Sequence, residues 1–165
     1  MRKVVKFGGS SLANAAQFRK VGEIIREDQT RRYVVPSAPG KRYINDTKVT
    51  DMLYHCYELA EKGKKFLPLL NEIKARYEEI IDGLRLELSL DKEFEVIAEQ
   101  FLKKAGKDYA ASRGEYLNGI VMSRYLGVTF IDAAEVIFFD KNGNLDLETT
   151  EEVLAKRLEN ANRAV

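Results

Sequence analysis

The residues best suited to chemistry stand near the amino terminus, in the stretch KVVKFGGSS (residues 3–11). A strand that ends in glycines and serines and then enters a helix leaves several backbone N–H groups free to bind an anion. The glycines let a phosphate approach without a Cβ clash, Lys6 adds a flexible cation, and Ser10 or Ser11 can donate a further hydrogen bond. The stretch therefore predicts a phosphate site, and the alternative is an ordinary tight turn whose glycines only tolerate positive φ.

Two other kinds of site are not supported by the motifs. Gly8-Gly9 has no third glycine at the dinucleotide-binding spacing, and no Gly-Lys-Ser/Thr follows it as in a Walker motif. The only histidine, His55, stands beside the only cysteine, Cys56. Two adjacent ligands without a further Cys or His do not make a zinc site, so we expect no metal site and expect Cys56 to pack within a helix.

The elements that position the phosphate stretch follow an α/β order. Lys3–Phe7 is typical of a short buried strand, helical spacing of apolar residues predicts a helix from Leu12 to Glu27, and Arg32–Ser37 is predicted to be a second strand, stopped by Pro36. The order strand, helix, strand is the βαβ unit of a parallel sheet with helices across its faces.

The middle of the chain predicts a mostly helical insertion at about residues 47–126. Four amphipathic helices are expected there, namely Lys48–Glu61, Phe66–Leu88, Asp91–Lys104 and Tyr109–Tyr125. In the second of them the charged residues are predicted to form a solvated face, and these are Lys74, Arg76, Glu78 and Glu79.

The carboxyl-terminal part predicts a return to strands and a final helix. The runs Val128–Ile131 and Val136–Phe139 are strand-like, and an Asn-Gly turn follows the second of them. Thr149 or Thr150 is then predicted to cap a last helix, on which the chain ends.

Composition limits the classes of partner. The 165 residues suit one core, and 27 Lys+Arg against 26 Asp+Glu give no basic field for nucleic acid or an anionic membrane. One cysteine cannot form an internal disulfide, and no apolar run approaches the ~20 residues of a membrane helix. Because the first residues lead straight into a strand and not into an apolar signal core, we expect a cytoplasmic protein.

Four segments together resemble aspartokinases, which are members of the amino acid kinase superfamily. KFGGSS is similar to the amino-terminal signature of that family, and three further segments follow in the family's order: Tyr33–Ala38, Lys48–Leu53 and the Ser-x-Gly-Glu match Ser112–Glu115. The resemblance runs from Lys3 to the end of the chain. It implies an α/β fold with a parallel sheet, of the carbamate kinase-like amino acid kinase type with a helical insertion, of which residues 1–165 would form the amino-terminal, aspartate-binding half.

The resemblance also implies an activity and its ligands. Aspartokinases transfer the γ-phosphoryl group of MgATP to the β-carboxylate of L-aspartate, the first step toward lysine, methionine and threonine. The signature residues that would face phosphate are Lys6, Gly8, Gly9 and Ser10, with Lys6 catalytic, and Ser37 would join them at the end of the second strand.

Two further residues match positions that contact aspartate in the family. Glu115 matches the carboxylate that holds the α-ammonium group, and Thr50 matches a hydroxyl. By pattern alone Ser112–Glu115 also fits a helix capping box, and Thr50 fits a helix-start hydroxyl. Asp51 replaces the family's usual asparagine, and the loop 38–47 is longer than in many relatives, so Lys41 and Arg42 receive no assigned role.

Parts of the family pattern have no counterpart in these residues. They are the Gly-Arg-Gly-Gly-Ser-Asp segment, the adenine and ribose pocket, a second catalytic lysine and the regulatory ACT domains. We therefore expect an aspartokinase fragment that is inactive without the carboxyl-terminal half and that forms a homo-oligomer through an uncovered apolar face. The alternatives are a non-catalytic binding or oligomerisation module of the same fold, or another amino acid kinase such as a glutamate 5-kinase.

Overall fold

The computed structural model describes residues 1–165, and its first elements form the predicted βαβ unit. Strands β1 (Lys3–Phe7) and β2 (Arg31–Pro36) pair in parallel, with Lys6 opposite Val35. Between them lie a 3₁₀ turn (Gly9–Leu12) and helix α1 (Ala15–Glu27). The α-helix begins later than predicted because Asn14 caps it, its side chain accepting a hydrogen bond from the Gln17 N–H at 3.0 Å.

Strand β1 is less buried than its apolar sequence predicted. Its side chains alternate, so that Val5 and Phe7 lie against the core while Val4 and Lys6 are exposed. Alternation of this kind is the rule for a strand with one covered face. The prediction of a buried strand was wrong, because only the face with Val5 and Phe7 packs against the core.

Four helices follow β2, as predicted. They are α2 (Val49–Glu61), α3 (Leu67–Gly83), α4 (Asp91–Leu102) and α5 (Lys107–Leu126). Helix α3 ends before the predicted Leu88, because Arg85 has a φ of 57° and leaves the right-handed helical region. Helix α5 ends at Leu126, and Gly127 caps it with a φ of 67°, the left-handed conformation that glycine adopts without a steric penalty.

The main core is a cluster of 25 buried residues that all lie between Leu12 and Met122. Phe101 is its aromatic centre, with ring centroids 5.5 Å from Tyr57, 6.2 Å from Phe66 and 6.3 Å from Tyr109. Cys56 is fully buried in the same cluster, which confirms its predicted packing role, and burial raises the pKa of its thiol to about 12.

The segment after α5 adds little regular strand. Ala164 forms parallel bridges to Tyr33 of β2 and to Thr129, so the order across the sheet is β1, β2, Ala164 and Thr129. The chain thus ends within the sheet, not on a helix. The predicted strand Val128–Ile131 is reduced to this bridge, because its partner is only the few residues around Ala164.

The second predicted strand of this segment is also mostly absent. Val136 closes a one-turn helix, α6 (Ala133–Val136), and only Phe139 pairs, in an antiparallel bridge to Leu145 around the expected Asn-Gly turn. The last helix, α7 (Leu147–Glu159), is capped by Asp146 and not by a threonine. The carboxylate of Asp146 accepts a hydrogen bond from the Thr149 N–H at 3.0 Å, which is the usual role of an aspartate at the N-cap position. No helix of the chain has both the length and the apolar character needed to cross a membrane.

Candidate functional site

Residues 37–40, here called the strand-end turn, follow β2 and touch the elements that carry the predicted site residues. The Ser37 N–H donates to the Phe7 carbonyl at the end of β1 (2.9 Å), and the Gly40 N–H donates to the Gly9 carbonyl (2.8 Å). The Pro39 carbonyl accepts from the Val49 N–H at the start of α2 (3.1 Å). The strand-end turn therefore joins the glycine stretch to the helical region at the carboxyl end of the two strands, where open α/β sheets bind ligands.

Lys6 and Ser37 meet at this edge. The Lys6 Nζ atom donates to the Ser37 Oγ atom at 3.3 Å, and the lysine side chain is exposed. None of the ion pairs of the chain involves Lys6. Its ammonium charge is thus not neutralised by a carboxylate of the chain and is available to an anion.

The two adjacent glycines have different surroundings. A Cβ atom on Gly9 would lie 2.7 Å from the Ala38 carbonyl oxygen, and one on Gly40 would lie 2.6 Å from the Gly9 carbonyl carbon. Gly9 and Gly40 are therefore required by backbone packing. A Cβ on Gly8 would meet nothing within 4 Å, and the φ of Gly8 is −76°, which any residue adopts. Neither sterics nor conformation within the chain requires a glycine at position 8, and Gly8 and Ser10 are both exposed.

Glu115 reaches the strand-end turn from α5. Its Oε1 atom accepts a hydrogen bond from the Ala38 N–H at 3.3 Å, and the rest of the side chain is exposed. The preceding turn of the helix is fixed by Tyr77, whose hydroxyl donates to the Gly114 carbonyl at 2.8 Å. The capping-box alternative is excluded, because α5 begins at Lys107 and Ser112 lies within the helix.

Thr50 is the second residue of α2 and does not cap it. The residue at the N-cap position is Lys48, which makes no side-chain cap hydrogen bond. Thr50 is half-buried, and its hydroxyl has no hydrogen-bond partner in the chain. The structure links Thr50 to the strand-end turn only through its neighbour Val49, whereas it joins Lys6 and Glu115 to that turn directly.

A buried arginine holds the loop that leads from the strand-end turn to α2. Arg76 donates to the carbonyls of Gly40 (2.7 Å) and Thr47 (2.5 Å) and pairs with Asp46 at 3.4 Å. Only 5% of its side chain is exposed, so its assignment to a solvated face was wrong. The periodicity of α3 cannot reveal that carbonyls of another segment reach one of its charged positions.

Arg42 completes this network, and Lys41 stays outside it. Arg42 pairs with Asp46 at 2.9 Å and with Glu79 at 3.0 Å. Its hydrogen bond holds the pKa of the Asp46 carboxyl well below the usual range. Lys41 is exposed and forms no ion pair. Arg42 therefore fixes the loop, while Lys41 remains a free cation beside the site.

Asn118 was missed by the sequence reasoning. It is fully buried on α5, and its Nδ2 atom donates to the Ser37 carbonyl at 2.7 Å. Its Oδ1 atom is buried without a hydrogen-bond partner. One signal in the sequence could have indicated it: Asn118 is a polar residue between the apolar positions Leu117 and Val121 of a core helix. Buried polar side chains usually have a hydrogen-bond partner, so such a position predicts a contact with a polar group of another segment.

The uncovered side of the sheet opens into an apolar groove of about 640 Å³. Val4 and Val35 are 68% and 48% exposed on the strands, and Phe139, which also lines the groove, is 65% exposed. Glu115 and Tyr116 of α5 also line this groove. The groove is the uncovered apolar face that the sequence analysis expected.

Comparison with known proteins places these features in a family. The model of the amino acid kinase family matches residues 1–165. Aspartokinase 3 of Bacillus subtilis (strain 168) is 48% identical over 88 residues, which cover 53% of this chain and 19% of that protein. The aspartokinase of Chlamydia trachomatis serovar D is 32% identical over 148 residues, which cover 83% of this chain and 32% of that protein.

Solved structures give the same result for the fold. The aspartate kinase of Clostridium acetobutylicum superposes with a TM-score of 0.94 at 46% identity, over 98% of this chain and 37% of that chain. E. coli aspartokinase III in complex with aspartate and ADP superposes with a TM-score of 0.74 at 24% identity, over 96% of this chain and 38% of that chain, and shows the fold alone. The chain thus spans well under half the length of these relatives. It belongs to the amino acid kinase family, and its fold is that of the part of the aspartokinases that it matches.

Proposed function

We propose that the chain is the aspartate-binding part of an aspartate kinase, which transfers the γ-phosphoryl group of MgATP to the β-carboxylate of L-aspartate. The observation that carries the proposal is the position of two opposite charges on the strand-end turn. Lys6 lies 3.3 Å from the Ser37 hydroxyl, and Glu115 lies 3.3 Å from the Ala38 N–H of the next residue. A free cation and an exposed carboxylate thus flank one turn, as a substrate with an anionic and a cationic end requires.

The phosphate side consists of Lys6, Gly8, Ser10 and the Ser37 hydroxyl. Phosphoryl transfer to a carboxylate brings two anions together. The protein must therefore position them and neutralise the charge on the transferring phosphoryl group. Lys6 has no carboxylate partner and can supply that charge. The open space at Gly8 leaves room for a phosphate oxygen at the backbone. In this proposal Lys6 is the catalytic residue, and Mg²⁺ arrives with the nucleotide as part of the substrate.

The ammonium side consists of Glu115 and Thr50. The exposed Glu115 carboxylate can accept a charge-assisted hydrogen bond from the substrate α-ammonium group, while its Oε1 atom still accepts the hydrogen bond from the Ala38 N–H. The unpartnered Thr50 hydroxyl at the start of α2 can bind a carboxylate oxygen of the same substrate. The substrate β-carboxylate would then point toward Lys6.

The relatives support aspartate as the acceptor. Both curated relatives are aspartokinases, and the E. coli structure that shares the fold is a complex with aspartate and ADP. This favours aspartate over the glutamate of a glutamate 5-kinase. The same proposal makes the reaction the first step toward lysine, methionine and threonine, and a cytoplasmic location is part of the proposal.

The proposal also assigns turnover to more than these 165 residues. The chain contains a candidate aspartate site and one anion-binding turn but no segment that resembles the nucleotide pocket of the family, and the reaction needs both substrates in line. We expect the isolated chain to show no aspartate-dependent release of ADP. We also expect it to associate through the apolar groove, where Val4, Val35 and Phe139 are exposed, and to have a mass above one chain by light scattering. An aspartate-dependent kinase activity of a monomer would contradict this part of the proposal.

The decisive experiment uses the full-length kinase of which we propose this chain to be a part. Lys6→Met should lower kcat by roughly 100-fold or more, because it removes a charge that acts on the transferring group, while Lys6→Arg should retain more activity. Glu115→Gln should raise the KM for aspartate and leave the KM for ATP unchanged. Near-normal turnover of folded Lys6→Met, or unchanged aspartate KM in Glu115→Gln, would refute the corresponding role.

A further inference from the structure

Asn118 stands where the two sides of the proposed site meet. It lies on α5 three positions after Glu115, so the two side chains project from neighbouring turns of one helix. Glu115 contacts the Ala38 N–H, and Asn118 contacts the Ser37 carbonyl at 2.7 Å. These two groups belong to the same peptide unit, since the Ser37 carbonyl and the Ala38 N–H share one peptide bond. Helix α5 therefore holds that peptide plane at both of its polar ends.

Packing alone does not explain an asparagine at this position. The side chain is fully buried, and its Oδ1 atom has no hydrogen-bond partner. The reverse orientation of the amide would place Oδ1 against the Ser37 carbonyl oxygen at 2.7 Å, two acceptors in contact, so the donor must face Ser37. A buried acceptor without a partner lowers stability, and an apolar residue of similar size would remove this cost but would leave the Ser37 carbonyl without the Asn118 donor. What the asparagine supplies here is the hydrogen bond to the Ser37 carbonyl, which comes with one unpaired buried acceptor.

We infer that Asn118 is a positioning residue of the proposed aspartate site. Its amide fixes the plane of the Ser37–Ala38 peptide, and this plane decides where the Ser37 hydroxyl meets Lys6 and where the Ala38 N–H meets Glu115. One buried hydrogen bond thus sets the spacing between the phosphate side and the ammonium side. The inference rests on the proposed function for the identity of the ligand, but the positioning itself is a property of this chain.

The experiment compares the 165-residue chain with three variants. Asn118→Leu removes the donor and also the unpartnered acceptor, and Asn118→Ala removes both without any risk of overpacking. Ser123→Ala is the matched control, because Ser123 is a buried polar residue of the same helix whose hydroxyl bonds only the nearby Ile120 carbonyl. Each protein is measured by thermal unfolding, by hydrogen exchange of the Ala38 amide in NMR spectra, and by titration with L-aspartate followed by amide shifts.

We expect Asn118→Leu to unfold near the temperature of the parent chain while it loses the positioning, because removal of the unpartnered Oδ1 atom offsets the loss of the hydrogen bond to the Ser37 carbonyl. The Ala38 amide should exchange roughly 10-fold faster or more, because its carboxylate acceptor no longer faces it. The affinity for L-aspartate should fall about 10-fold. Asn118→Ala should show the same two losses, with a lower unfolding temperature because of the cavity. Ser123→Ala should change neither the exchange of Ala38 nor the affinity.

The opposite results would overturn the inference. Unchanged Ala38 exchange in both Asn118 variants, or equal acceleration in Ser123→Ala, would show that Asn118 only fills space. A failure of the parent chain to bind L-aspartate would count against the proposed function. The exchange of Ala38 would still decide whether Asn118 positions the turn, so the two failures are distinguishable.

Discussion

The helical region and the carboxyl-terminal segment of this chain are built in different ways. All 25 residues of the main buried cluster lie between Leu12 and Met122, and none lies in residues 127–165. That segment is held by isolated bridges, of which Ala164 forms two and Phe139 one, and by buried side chains at separate positions such as Val136. Every predicted site residue lies between Lys6 and Glu115, on the side of the well-packed core. Strands β1 and β2 and the helices packed against them therefore carry every predicted site residue, and the carboxyl-terminal segment carries none.

The largest change in the free energy of unfolding is expected when one aromatic residue in each region is replaced by alanine. Phe101→Ala should lower the free energy of unfolding by about 3–5 kcal/mol, because Phe101 is fully buried among three aromatic rings. Phe139→Ala should change it by less than about 1 kcal/mol, because Phe139 is largely exposed. Denaturant unfolding measures both. Equal losses would show that the carboxyl-terminal segment is as tightly packed as the helices.

A smaller effect is expected at the two glycines of the site. Gly9→Ala should lower the free energy of unfolding by roughly 1–3 kcal/mol, since its Cβ would meet the backbone of Ala38 and force a shift. Gly8→Ala should leave unfolding nearly unchanged but weaken ATP binding in the full-length kinase. The two variants are each other's control. A large loss of stability in Gly8→Ala would mean that Gly8 is a structural glycine.

The smallest expected effect is on the pH dependence of the free energy of unfolding, and it is tested with one aspartate on each side of the comparison. In the folded chain the pKa of Asp46 lies below its unfolded value of about 3.9, mainly because of its hydrogen bond to Arg42. The ionised carboxylate therefore stabilises the fold above about pH 4, and this contribution is lost as the pH falls further. Asp46→Asn should be less stable at neutral pH, and its free energy of unfolding should fall less between about pH 5 and about pH 2.

The matched change in the carboxyl-terminal segment is Asp140→Asn. Asp140 accepts the backbone N–H groups of Asn144 and Asn142, which lower the pKa of its carboxyl, but its side chain is exposed. We expect the same sign and a smaller change, because solvent screens an exposed group. Chemical denaturation across this pH range measures both variants. A steeper acid loss in Asp46→Asn than in the parent chain would refute the assignment.

Local pattern predicted the helical region well and the carboxyl-terminal segment less well. The bounds of α2 and α4 follow from apolar spacing and end residues, because these helices bury one continuous stripe. The runs Val128–Ile131 and Val136–Phe139 have the composition of strands, yet each forms only one bridge. Strand formation depends on the length of the partner, and the sequence of the run itself does not contain that information.

The site was predictable only in part, for a related reason. Lys6, Ser37 and Glu115 were found by motif and do meet at one turn. Arg76 and Asn118 support that turn by hydrogen bonds to backbone carbonyls distant in sequence. A backbone carbonyl is the same chemical group in every residue type, so the partner of such a donor leaves no trace in the sequence. Only the packing of α3 and α5 against the strand-end turn reveals it.

The buried thiol of Cys56 makes this chain convenient for spectroscopic labelling. It is the only cysteine, and with a pKa of about 12 almost none of it is thiolate at neutral pH, the form that reacts with maleimides and iodoacetamides. A cysteine introduced at exposed Lys41 would therefore be modified selectively in the folded protein, without first replacing the natural one. A fluorophore or spin label there would report movements of the loop beside the strand-end turn when ligands are added.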